Sequence, residues 1–181
     1  MTGQVESPLR RVVDGIDRAA GVIDRASRVA MGIALVGILS MLLLQVAVRY
    51  ILPFPLPWVE ELAVYLSGYI AMIGTSVCLR MGYHLQVDLL RDKLGPRAVL
   101  YHALIINLVV AGFGYFLLKY GIRFVELGAG QTSPSSYFPV ALGRLSMPVG
   151  GGLLIIQALV LSLKAFDDLV NGPRDPYKIR S

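Results

Sequence analysis

The residues able to do chemistry in this chain fall into small groups. Arg49, Trp58, Glu60 and Glu61 flank a proline-rich stretch, Arg80, His84 and Asp88 follow at short spacing, and Cys78 and His102 stand apart. Catalysis or metal binding would need several such groups to converge. His84 and His102 are the only histidines. A bis-histidine haem needs a pair facing across helices at one depth, but His84 falls in a loop and His102 near the end of an apolar run. One cysteine excludes an intramolecular disulfide and any multi-cysteine zinc or iron–sulfur site. A thiol near the end of an apolar helix is expected to be a small packing residue. The Ser, Thr and His residues form no arrangement suited to an intramembrane hydrolase. The chain is therefore expected to have no catalytic activity, no cofactor and no metal site.

These groups sit at the borders of long apolar runs. The chain has 181 residues, 55% hydrophobic and 16% charged, with a mean hydropathy of +0.64. Soluble domains carry about 25% charged residues. Asp, Glu, Lys and Arg are absent from Val29–Val48, Leu62–Leu79, Ala98–Leu118 and Leu145–Leu163. Each run can cross a hydrocarbon layer of about 30 Å at about 1.5 Å per residue. This composition excludes a soluble globule, a disordered chain, a nucleic-acid-binding domain and a disulfide scaffold. The fold expected is an all-α integral membrane protein with four transmembrane helices plus amphipathic surface helices.

Orientation follows from the loops. Placing both termini in the cytoplasm puts 13 of the 17 Lys and Arg residues inside, and the reverse arrangement violates the positive-inside rule at every segment. The basic pI of about 9.5 is thus assigned to membrane orientation rather than to nucleic acid. A cleavable signal peptide is not expected, because the first apolar run starts at residue 29 and leads into Val48-Arg49-Tyr50.

Residues 1–28 are expected to hold an amphipathic N-terminal helix, with Val5, Leu9, Val12, Val13, Ile16, Ala19, Ala20 and Ile23 at helical spacing and Arg and Asp opposite. Two readings stay open. The helix lies along the inner leaflet, its arginines meeting anionic lipids, or it simply extends the first span. A second surface helix is expected where Tyr83, Val87, Leu90 and Leu94 share a face, ended by Gly95-Pro96. Pro53, Pro55 and Pro57 stiffen the first loop, and Trp58 suits the outer interface. Pro57 can open the second span, leaving Glu60 and Glu61 at its positive end. The third loop carries Gln131-Thr132-Ser133-Pro134-Ser135-Ser136. The fourth helix is expected to start near Pro139 and to kink at Pro148. The resulting boundaries are residues 1–28, a four-helix domain over 29–165 (spans about 29–48, 62–79, 98–118 and 139–163), and a cytoplasmic tail over 166–181.

Charge inside a span is costly and marks function. Here the strongest polar groups within the runs are Gln45, Asn107 and Gln157, expected to make interhelical hydrogen bonds. Ala30/Ala34, Ser67/Ala71 and Gly150–Gly152 suggest close helix packing. Small multidrug exporters also have four short spans, but they rely on a buried Glu in the first. A membrane protein without a polar pathway is most simply an accessory or scaffold subunit.

The sequence Arg49-Tyr50, then Trp58-Val59-Glu60-Glu61, then Arg80-Met81-Gly82-Tyr83-His84 with Val87-Asp88, resembles the DctQ-like family. These are the small membrane subunits of tripartite ATP-independent periplasmic (TRAP) transporters. Gln131-Thr132-Ser133-Pro134 and Pro148-Val149-Gly150 resemble it too. The similarity spans roughly residues 28–165. It implies a bacterial inner-membrane subunit bracing a large TRAP membrane subunit that holds the substrate and sodium sites. It also implies a periplasmic solute-binding protein that delivers an organic acid, with selectivity in those two components. On this reading Glu60 and Glu61 pair with Arg49, meet basic groups of the large subunit, or serve only the helix start. Arg80, His84 and Asp88 fix the turn into the surface helix or touch the large subunit, with His84 and Asp88 facing each other four residues apart. Trp58 anchors the interface. Two other classes stay open from the residues: a self-sufficient small transporter or channel acting as a homo-oligomer, and an assembly factor unrelated to transport.

Overall fold

The computed structural model describes residues 8–51, 56–91, 96–133 and 137–171, with side chains except at 8–9, 82–91, 96–97 and 99. It contains the helices α1 (Pro8–Ile51), α2 (Pro57–Arg91), α3 (Pro96–Glu126), α4 (Val140–Arg144) and α5 (Ser146–Asn171). Proline opens α1, α2 and α3, where its missing N–H costs nothing and its fixed φ suits the first turn. Four helical stretches, Arg10–Ile51, Pro57–Met81, Leu100–Glu126 and Val140–Asn171, are long and apolar enough to cross a membrane. The chain is an all-α, multi-pass membrane protein.

The helices form a flattened bundle. α3 lies along α5, α5 along α2, and α2 along α1, while α1 and α3 do not touch. α5 is central and carries the largest share of the core, including Leu154, Gln157, Ala158, Val160, Leu161 and Ala165. Close approach of α3 to α5 depends on glycine. A Cβ at Gly151 would lie 2.7 Å from the Leu118 amide nitrogen, and one at Gly121 would lie 2.8 Å from the Pro148 nitrogen. Gly150 similarly admits Met72 of α2. Gly152 has open space, and Ala30, Ser67 and Ala71 are exposed, so only part of the expected small-residue packing is used.

The structure decides or revises expectations in α1, α2 and the fourth span. Of the two open readings of the amphipathic segment before residue 28, the extension of the first span is the one observed, and the boundary drawn at residue 28 falls inside a helix. The segment is continuous with the first span in one helix of 44 residues, about 66 Å long. Val13 and Ala20 turn inward, whereas Val12 and Ile16 are exposed. The inward residues repeat every 3.5 positions: Arg10, Val13, Asp17, Ala20, Asp24, Ser27, Met31, Ala34, Ile38, Met41, Gln45 and Val48 are all buried or half-buried. This is the seam of a helix that packs with a left-handed twist, and it runs unbroken from the polar arm into the apolar span.

The second surface helix is likewise not separate, because α2 runs from Pro57 through Arg91 without a break. The expected stop at Gly95 lies outside the described residues, as do Pro53 and Pro55. The fourth span begins after Pro139 as expected but divides at Leu145, between α4 and α5. Pro148 has no N–H for the Arg144 carbonyl, so the ladder fails there and the break falls ahead of the proline. Cys78 is exposed, not packed inside.

Candidate functional site

The polar side chains converge at two levels. At the end of the bundle where α1 begins and α5 ends, α1, α2 and α5 meet around Asp17. Its Oδ1 accepts a hydrogen bond from Arg80 Nη2 at 2.9 Å, and its Oδ2 accepts one from Lys164 Nζ at 2.9 Å. Arg80 Nη2 also reaches the Asp17 carbonyl oxygen at 3.2 Å. Arg80 Nη1 donates to Gln157 Oε1 at 2.9 Å, and Gln157 Nε2 donates to the Ala20 carbonyl oxygen at 3.2 Å. One carboxylate, one amide and two cations thus tie three helices. Burial pushes the Asp17 carboxyl up, but the hydrogen bonds and charges of Lys164 and Arg80 outweigh it and hold it below its ordinary value.

Flanking pairs extend the lock. Arg10 Nε lies 3.8 Å from Asp167 Oδ2, whose carboxylate is fully buried and accepts Asn171 Nδ2 on its other oxygen at 2.7 Å. Arg28 binds the buried Asp24 one turn away on α1. Gly21 leaves room for the Arg80 guanidinium, since a Cβ there would already stand 3.4 Å from Nη2. Among the described residues no cluster of three or more potential metal ligands forms. The arrangement is suited to positioning, because each cation faces a carboxylate.

At the opposite end the contacts are lighter. Gln45 Nε2 donates to Glu60 Oε1 at 2.7 Å, joining α1 to α2, and Tyr65 donates to Glu61 Oε1 at 2.6 Å. Tyr69 donates to the Leu142 carbonyl at 2.8 Å, joining α2 to the residues of α4. Arg144 Nη1 donates to the Phe124 carbonyl at 3.1 Å, and its guanidinium sits 4.4 Å from the centre of the Phe124 ring.

The residues singled out from sequence are therefore dispersed. Glu60 is in the first turn of α2 and meets Gln45 rather than Arg49. Arg49 is exposed at the end of α1 and forms no ion pair among the described residues. Trp58 is 37% exposed beside them. Arg80 joins α1 and α5 rather than holding a turn of its own helix. His84 and Asp88 lie four apart on α2, with side chains outside the described set. Gln45 and Gln157 make the interhelical bonds expected of them. Asn107 is buried, and its Nδ2 finds no partner among the described residues. Sequence reasoning missed Asp17 and Lys164. The available signal was the seven-residue spacing of Arg10, Asp17 and Asp24, which places charges on the packed seam.

The sequence is similar to those of known proteins. The family model for tripartite ATP-independent periplasmic transporters, DctQ component, matches residues 38–168. The chain is 28% identical over 129 residues to the sialic acid TRAP transporter small permease protein SiaQ of Vibrio cholerae, covering 67% of this chain and 70% of that protein. It is 28% identical over 106 residues to the C4-dicarboxylate TRAP transporter small permease protein DctQ of Rhodobacter capsulatus, covering 58% and 47% respectively. A third relative, the sialic acid TRAP transporter permease protein SiaT of Haemophilus influenzae, is 29% identical over 116 residues. That match takes 64% of this chain but only 18% of SiaT. With four membrane-crossing helices and a family match over most of its length, the chain belongs to the DctQ family of TRAP transporter small permease components.

Proposed function

We propose that this chain is the small scaffold subunit of a sodium-coupled TRAP importer for an organic acid in the bacterial inner membrane, with both termini cytoplasmic. It braces the large transport subunit and helps dock the periplasmic solute-binding protein. It performs no catalysis and holds no cofactor, and sodium coupling belongs to the large subunit. The observation that carries this reading is where the charges are used. Asp17 binds Arg80 and Lys164, and Arg10 pairs with Asp167, across helices at one end of the bundle, while the apolar runs hold no charged residue. A chain that uses its charges to fix its own helices is built for rigidity. The SiaT match supports a large partner, since most of that relative lies beyond the region shared with this chain.

Subunit omission in proteoliposomes tests the proposal, with labelled sialic acid and a labelled C4-dicarboxylate as probes. Uptake of one probe is expected only when this chain, the large subunit, the binding protein and an inward sodium gradient are all present. Robust uptake by this chain alone would replace the scaffold with a self-sufficient transporter.

A further inference from the structure

The contacts between α3 and α5 keep a regular register. A Cβ at Gly121 would meet the Pro148 nitrogen at 2.8 Å, and one at Gly114 would meet the Ile155 side chain at 3.0 Å and its backbone nitrogen at 3.3 Å. The two contacts are seven residues apart on each helix, so the helices run antiparallel in matched heptad steps, as in a left-handed crossing. One further step of seven brings Asn107 of α3 level with Ser162 of α5, on the same packed faces. Asn107 is 3% exposed, and α5 is the helix that α3 follows most closely.

Each of these two positions carries a buried polar atom with no hydrogen-bond partner among the described residues, Asn107 Nδ2 and Ser162 Oγ. Both lie inside charge-free runs, where hydrocarbon offers nothing to replace a missing bond. The pair is chemically complementary, since the amide nitrogen donates and the hydroxyl oxygen accepts. They do not bond each other directly, or neither would be without a partner. Alanine stands one turn away on both helices, at Ala103 and Ala111 of α3 and at the fully buried Ala158 and Ala165 of α5. Short side chains at these positions suit a small occupant.

We infer that Asn107 and Ser162 together hold one structural water in the seam between α3 and α5. Asn107 Nδ2 donates to the water oxygen, and the water donates to Ser162 Oγ. The occupant thus gains the two polar partners that a buried water needs at minimum. A hard cation would need several oxygen ligands, and this site offers one amide, one hydroxyl and no carboxylate. The bridge carries the seam on by hydrogen bonds where the glycine contacts end. It is a property of this chain alone and does not depend on the functional reading above.

Water-edited solid-state NMR of the full chain in lipid bilayers tests the site. The sequence has two asparagines, Asn107 and Asn171, so asparagine labelled with 15N gives two side-chain amide signals, the second from an exposed residue at the end of α5. Asn107→Leu removes the first signal and so assigns it. In the wild type both amides are expected to receive magnetisation from water at short mixing times, although Asn107 lies in an apolar run. Ser162→Ala takes away one partner of the water. It is expected to abolish the transfer to Asn107 while the Asn171 signal keeps its wild-type position, which checks the fold. Three results would overturn the site: a dry Asn107 amide in the wild type, undiminished transfer in Ser162→Ala, or a dipolar contact showing that Asn107 Nδ2 bonds Ser162 Oγ directly.

Discussion

Asp17 holds two cations with two oxygens, so replacing it strands both. Its side chain is 24% exposed and Arg80 is 19% exposed, between the surface pairs worth about 0–1 kcal/mol and the buried ones whose breakage costs about 3–5 kcal/mol. Asp17→Asn is expected to lower the stability of the detergent-solubilised protein by about 1–3 kcal/mol, read by thermal unfolding. The pH dependence has a definite sign. The folded carboxyl titrates below its ordinary value of 3.8, so its contribution is complete above that value and fades as pH falls through the folded one. The gap between wild type and Asp17→Asn is expected to be full at pH 7 and to shrink below about pH 4; a gap independent of acid would remove the ion pairs from the account. Arg80 was legible in the sequence as a residue of interest through the family-like run Arg80-Met81-Gly82-Tyr83-His84. Its partners were not legible, since Asp17 precedes it by 63 positions and Gln157 follows it by 77. Glu60 was placed correctly at its helix start, but Gln45, reaching it from α1, was read only as a generic hydrogen-bonding group.

At the scale of elements, two neighbouring glycines make opposite predictions. A methyl group on Gly151 would meet the backbone of α3, at 2.7 Å from Leu118 N and 3.0 Å from the Gly114 carbonyl oxygen. Backbone cannot swing aside as a flexible side chain can, so Gly151→Ala is expected to cost about 1–3 kcal/mol by forcing α3 and α5 apart. Gly152→Ala meets nothing within 4 Å and is expected to be neutral or to stabilise by up to about 1 kcal/mol through helix propensity. Thermal unfolding of both variants checks the pair, and equal effects would contradict the packing described. The sequence made the four spans and the run Gly150-Gly151-Gly152 plain, because charge-free length and small residues are local features. It could not say which glycine faces which helix. The merging of arm and span in α1 was one of two open readings for a related reason: apolar spacing drew attention to Val12 and Ile16, whereas the packed seam follows Asp17 and Asp24.

For the whole molecule, orientation is tested by reporter fusions. Fusions after Arg91 and after Lys178 are expected on the cytoplasmic side and one near Ser135 on the periplasmic side, as the basic-residue bias dictates; a periplasmic C-terminus would overturn the four-span count. On the proposed reading the chain is a static brace, its three-helix lock unchanged while the large subunit moves. Rigidity can be measured as a distance. In a Cys78→Ser background, spin labels at Arg18→Cys on α1 and Val170→Cys on α5, both exposed positions, report the separation of the two arms across the Asp17 lock. Pulsed dipolar spectroscopy on the full complex, with and without substrate-loaded binding protein, is expected to give one narrow distance that is the same in both states. A second population, displaced by something on the order of one helical turn of about 5 Å, would show that the small subunit moves with transport and would contradict the brace.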